Sequence, residues 1–171
     1  GVELPKAFEV QISEDGISYE TVAAVTEFGA DGMPGSVKFD EQEARYIRLV
    51  ITASNGSNLK LAELEVYLDD GTVPAPENQL EESTVIVDYT KGENIALNKQ
   101  VYVSSTTPDD VYAQWGWSAN YVNDGNTTNG WTSNVKVNFD HDTATEWVMV
   151  DLGDQFLVDQ VKVMPIGGFP A

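Results

Sequence analysis

The 171-residue chain contains no cysteine, one histidine and few basic residues. Without cysteine there is no disulfide framework, no thiolate metal site and no Cys nucleophile. The lone histidine, His141, excludes a multi-histidine zinc centre. Nine Lys and Arg stand against 28 Asp and Glu, a formal net charge of −19. Such a surface repels phosphate backbones and anionic lipid heads, so the expected partners include no nucleic acid and no membrane. No apolar run approaches the roughly 20 residues that span a bilayer. Gly1 is followed by neither a basic n-region nor an apolar h-region, and the expectation is a mature region or a piece of a longer protein.

What is present suffices to fold. Hydrophobic residues make up 42%, too many for a disordered acidic tail, and the length suits one domain with a proper core. Strand periodicity dominates. Residues 8–13 alternate apolar and polar, Asp15-Gly16 supplies a turn, and extended structure resumes over 19–25. Further strands are predicted at 37–39, 45–51, 61–68, 101–103, 146–152 and 156–164, with a short edge strand at 85–89. On 61–68 the alternation sets Leu64, Val66 and Leu68 on one face and Glu63, Glu65 and Tyr67 on the other. Residues 69–84, rich in Pro, Gly and acid, read as a linker. Short strands separated by polar turns, without an amphipathic helix of any length, predict an all-β antiparallel β-sandwich.

Two segments carry a family resemblance. Residues 94–164 include NIALNKQVYVSS, WSANYVNDGNTTNGWTS, EWVMVDLG and VDQVKVMP. Residues 5–68 include PKAFEVQISEDGISYETVAAV, EARYIRLVIT and LAELEVY. Together they resemble the coagulation factor V/VIII type C domain, also called discoidin-like. This is a galactose-binding-like jelly roll that includes the family 32 carbohydrate-binding modules. The halves stand in reversed order, with 1–68 matching the family's C-terminal half and 94–171 its N-terminal half. The resemblance therefore implies one circularly permuted sandwich, with residues 69–93 bridging the family's usual chain ends. A piece cut from a tandem array across a domain boundary is the alternative, with exchange of halves between two chains a further one.

Tyr121 to Trp131, YVNDGNTTNGW, crowds oxygen ligands around a turn that Gly125 lets bend sharply. From the residues alone this is either a hairpin turn or a cation loop. The resemblance implies structural Ca²⁺, held by Asp124, Asn126, Asn129, Glu63 and the carbonyls of Tyr121 and Ala62. The family usually has Thr where Asn129 stands. The triplets beginning at Asn126 and Asn55 match glycosylation sequons of the kind that arise by chance.

The aromatic loop 112–117 is the expected ligand site, because a sugar's C–H face packs on aromatic rings while its hydroxyls need polar partners. Trp115, Trp117, Tyr112, Asn120 and His141 are its candidate residues, with Tyr102 and Asn134 secondary and Trp117 packed beneath the loop. Trp131 and Trp147 read as core, and Arg45 and Arg48 as partners of acidic neighbours within the sandwich. Galactose-binding members carry Arg and Asn in the loop that here reads Pro165-Ile166-Gly167-Gly168-Phe169, so terminal galactose is not the expected sugar.

The function expected is a non-catalytic carbohydrate-binding module of a secreted, bacterial, multi-domain glycoside hydrolase, extracellular or at the cell surface, beside neighbouring modules. The alternative is an adhesion or spacer module without a sugar of its own. Catalysis by Asp140, Asp142 and Glu146 is disfavoured, since carboxylates in a polar loop of so acidic a chain are ordinarily solvated charge.

Overall fold

The computed structural model describes residues 5–28, 35–54, 59–68, 85–86, 92–106, 116–133 and 145–165. Eight strands follow in order: β1 (Pro5–Ser13), β2 (Glu20–Val25), β3 (Gly35–Ser54), β4 (Lys60–Leu68), β5 (Val85–Ile86), β6 (Gln100–Val103), β7 (Trp131–Thr132) and β8 (Glu146–Pro165). Pairing runs β2-β1-β3-β8-β4-β7, with β5 on β3 and β6 on β8, and every strand pair is antiparallel. No helix among the described residues is long and apolar enough to cross a membrane.

Two strands of 20 residues organise the rest. The C-terminal part of β3 pairs with β1 and with the N-terminal part of β8, which also carries β6. The N-terminal part of β3 pairs with β5 and with the C-terminal part of β8, which also carries β4. One layer is therefore β2-β1-β3-β8-β6, and the other is β5-β3-β8-β4-β7. The chain passes between layers where the β3–β8 register shifts, between Lys38 and Gln42 and between Ala44 and Tyr46. Bulges and bends of this kind make the corners of a sandwich whose strands switch sheets.

The acidic stretch Asp40-Glu41-Gln42-Glu43 and the stretch Gly153-Asp154-Gln155 are exposed in the middle of these strands. Sequence alternation breaks there, which is why each long strand reads as two. Gly153 sits at φ +88, a conformation that side chains resist, and this lets β8 turn.

Inward positions fill one core. Phe8, Val10, Ile47, Leu49, Val148 and Val150 come from the first layer, with Val37, Leu64, Val66, Val161 and Val163 from the second. Phe8 meets Phe28 edge-on, ring centroids 5.2 Å apart. Trp131 is fully buried, its indole Nε1 donating to the Ser105 carbonyl at 2.8 Å. Trp147 departs from the expected core position. It is half-buried and lies outside Val148, because the period of two that turns Val148 and Val150 inward turns Trp147 and Met149 outward.

Leu64 and Leu68 share a face in the alternation but differ in burial, at 0% and 40% exposed. Leu64→Ala should cost about 2–5 kcal/mol and lower the melting temperature by about 5–15 °C, whereas Leu68→Ala should shift it by less than about 2 °C. Differential scanning calorimetry of the two variants checks this.

Candidate metal centre

The site begins with the backbone of β4. One of its edges pairs with β8, and the other edge needs partners of its own. β7 satisfies Lys60 and Leu61. Beyond it, Leu64 N–H donates to the Val122 carbonyl at 2.7 Å, and Ile95 N–H donates to the Val66 carbonyl at 2.9 Å. The Asn94 side chain closes this edge, its Oδ1 accepting from the N–H groups of Val66 and Ala96. Buried Asn123 joins the two loops, its Nδ2 donating to the carbonyls of Ala96 and Lys99. A return bond runs from Asn98 N–H to the Asn123 carbonyl at 2.8 Å. Three segments distant in sequence thus meet over the outward face of β4.

Glu63 is what they cover. The strand period turns it away from Leu64 and the core, yet it is 0% exposed because the loop 121–130 lies over it. Its Oε1 accepts the Asn126 N–H at 2.9 Å, and its Oε2 is buried without a partner. Asp124 stands beside it. Asp124 Oδ1 accepts from Asn126 N–H, and Oδ2 accepts from Asn129 Nδ2 at 2.8 Å. Asn129 Oδ1 is the second buried oxygen here without a partner. Gly125 makes the turn at φ +80, and a Cβ there would press on Leu97 Cδ1 at 3.3 Å as well as strain the backbone.

Burial, then the neighbouring Asp124 carboxyl, push the Glu63 pKa up from 4.5 to about 8. Near neutral pH the buried carboxyl therefore holds a proton unless a positive charge replaces it. Among the described residues no three His, Cys, Asp or Glu side chains converge. The donor set is instead two carboxylates and an amide oxygen, all hard oxygens. That chemistry suits an oxygen-seeking cation and not a soft metal.

Of the residues expected to ligate, the structure brings Glu63, Asp124, Asn126 and Asn129 together. Ala62 and Tyr121 adjoin Glu63 and Val122 in the two segments that the Leu64–Val122 bond ties together. Asn126 contributes its N–H to Glu63, while its side-chain Oδ1 caps the loop by accepting from Thr128 N–H and Oγ1 at 3.0 and 2.7 Å. The part of Asn123 as a buried brace was not read from sequence, where it was one more polar residue of a turn.

Trp117 is half-buried, bridges Gly130 in parallel, and has Lys60 Nζ 5.2 Å from its ring centroid. Asn120 is exposed on the 3₁₀ turn Ala119–Tyr121. Tyr112, Trp115, Asn134, Asp140, His141 and Asp142 lie outside the described residues, as do the linker 69–84 and residues 166–169. No known protein family, curated protein or solved structure matches the chain in sequence or structural comparison.

The raised Glu63 pKa carries a sign. Between about pH 4.5 and 8 the folded state keeps a proton that the unfolded state has lost, so metal-free stability falls as pH rises through that window. The slope expected is about 1.4 kcal/mol per pH unit for this one proton. Glu63→Gln, which keeps the acceptor for Asn126 N–H, should flatten the dependence. Urea denaturation in EGTA across the window measures it.

Proposed function

We propose that the chain is a calcium-fastened, non-catalytic carbohydrate-binding module, a permuted discoidin-like sandwich from an extracellular multi-domain protein. The observation that carries this reading is the pair of unmet buried oxygens, Glu63 Oε2 and Asn129 Oδ1, gathered around Asp124. A hard divalent ion would meet both and neutralise the two carboxylates. Glu63 Oε2, Asp124 and Asn129 Oδ1 would hold it, with main-chain oxygens completing the shell. Calcium supplies charge and coordination there and takes part in no reaction.

The interleaving of the two half-chains supports the permuted arrangement. β1 to β4 come from residues 5–68 and β6 to β8 from residues 100–165, yet both layers draw on both sets. The ion would join them, since Glu63 belongs to the first half and Asp124 to the second. A loop fixed this firmly suits a binding module, because affinity for a small polar ligand depends on donors and rings that need no rearrangement. In this reading Trp115, in the sequence segment 112–117, stacks on the sugar. Several such modules along one protein would multiply individually weak contacts.

Thermal unfolding in Ca²⁺ and then in EGTA tests the ion. At a free concentration about 100 times Kd the gain is about 2.7 kcal/mol, a rise of about 5–10 °C for a chain this size. Asp124→Ala should abolish it. Identical melting curves with and without Ca²⁺ would overturn the metal centre. A glycan array with the wild type and Trp115→Ala tests the ligand, the variant being expected to lose its signals while keeping its calcium response.

A further inference from the structure

Apart from Tyr102, a secondary candidate for the loop site, the outward face of the layer β2-β1-β3-β8-β6 belongs to neither site discussed so far. Register places Gln11, Arg48, Met149 and Tyr102 in one row across β1, β3, β8 and β6. The adjacent row carries Glu9, Val50 and Trp147. The residues between them along each strand, such as Val10, Leu49 and Val148, are buried in the core, and Val103 of β6 packs against it, so these rows point outward. Tyr102 is 46% exposed, and Met149 and Trp147 are half-buried. Cross-strand partners lie about 5 Å apart and diagonal ones about 7–8 Å, so Tyr102, Met149 and Trp147 form one continuous apolar surface.

This surface is held in place. The Tyr19 hydroxyl donates to Met149 Sδ at 2.8 Å, and the Arg48 guanidinium lies 3.5 Å from the Tyr19 ring centroid. Arg48 Nε and Nη2 both donate to Gln11 Oε1, at 3.0 and 2.6 Å. Arg45 grips Asp151 through two bonds of 2.8 and 2.9 Å. Arg45 and Arg48 are the only arginines in the chain, and both lie here. Arg45, Arg48 and the nearby Lys99 stand against Glu9, Asp15, Asp151 and Asp154, so charge here is far more nearly balanced than over a molecule of −19.

The geometry points to a second binding surface, for an extended, uncharged polysaccharide lying across β8 and β6. Outward rings and an anchored thioether suit the apolar faces of successive sugars, and the bordering amide, carboxylate and guanidinium groups suit their hydroxyls. A row of side chains running across four strands fits a polymer along its length and not a terminal sugar in a pocket. Local charge balance favours a neutral chain, since the surrounding acidity repels polyanions and draws polycations elsewhere. The ligand class rests on the carbohydrate-binding reading, but the surface does not depend on loop 112–117.

Affinity electrophoresis of the full chain through gels containing xylan, mixed-linkage β-glucan, glucomannan or polygalacturonate tests it. The expected result is retardation by at least one neutral polymer. Tyr102→Ala and Trp147→Ala should weaken it on the order of ten-fold, while Trp115→Ala retains it. Tyr102→Gln, a milder change on an edge strand, serves if either truncation lowers the melting temperature. Retardation lost in Trp115→Ala and untouched by the face variants would overturn this surface and leave the module reading standing. So would retardation by polygalacturonate alone, or none in the gels with signals persisting on the glycan array. Silence in both assays would overturn the two readings together.

Discussion

Because β3 and β8 pair with each other along nearly their whole lengths, each layer has the same two strands near its centre. Everything else is attached to this pair. β1 and β6 flank it in one layer, β5 and β4 in the other, and the corners between layers are the register shifts of the pair itself. The arrangement explains why polar residues interrupt both long strands near the same corner, one at each register shift. Residues 39–41 are the excess of β3 at the first register shift and residues 152–155 the excess of β8 at the second, with the pairs Gln42–Val158, Glu43–Leu157 and Ala44–Phe156 between them. Gln42, Glu43 and Ala44 keep their partners between the two shifts, with Gln42 and Glu43 facing solvent while Ala44 and Val158 stay buried.

The same frame creates the conflict at Glu63. Strand geometry alone would leave this residue on an outward, solvated face. The free edge of β4, however, recruits the loop 121–130 and the turn 94–99 to satisfy its backbone, and those segments seal the carboxyl away from water. Leu64, one residue on, anchors the loop through its N–H; Glu63 bears the electrostatic consequence. A proton or a cation resolves it. The two solutions would compete for the same oxygens, so the proposed affinity for a cation here would be tied to pH by the chemistry of one side chain.

Much of this was legible in the residues. Alternation located the longer strands, but the short β7 (Trp131–Thr132) was not predicted as a strand. The Asp15-Gly16 turn was found, though not what holds it: Asp15 Oδ1 accepts the Ile17 and Ser18 N–H groups at 2.8 Å. The continuity of β3 and β8 was not legible. A run such as Asp-Glu-Gln-Glu looks like a turn to any rule that reads burial from polarity, and only the partner strand shows that pairing persists. Trp147 was misplaced for a related reason. Size and hydrophobicity suggest a core residue, but its parity with Val148 and Val150 assigns it outward, and parity is the stronger constraint in a strand. At the metal centre the residue types were visible in the sequence. Their enclosure was not, since it depends on contacts between segments some 30 and 60 residues apart.

The order of strands along the chain has a consequence for synthesis. Ile51 of β3 pairs with Glu146 of β8, so roughly 95 residues must be added after the first partner leaves the ribosome before the second exists. At about 5–20 residues per second that interval is on the order of 5–20 s. For its duration β1, β2 and β3 offer an open edge bearing Ile47, Leu49 and Ile51 with nothing to close against. The acidic residues spread through the first half then act on the nascent chain, keeping neighbouring copies apart until β8 arrives to close the sheet.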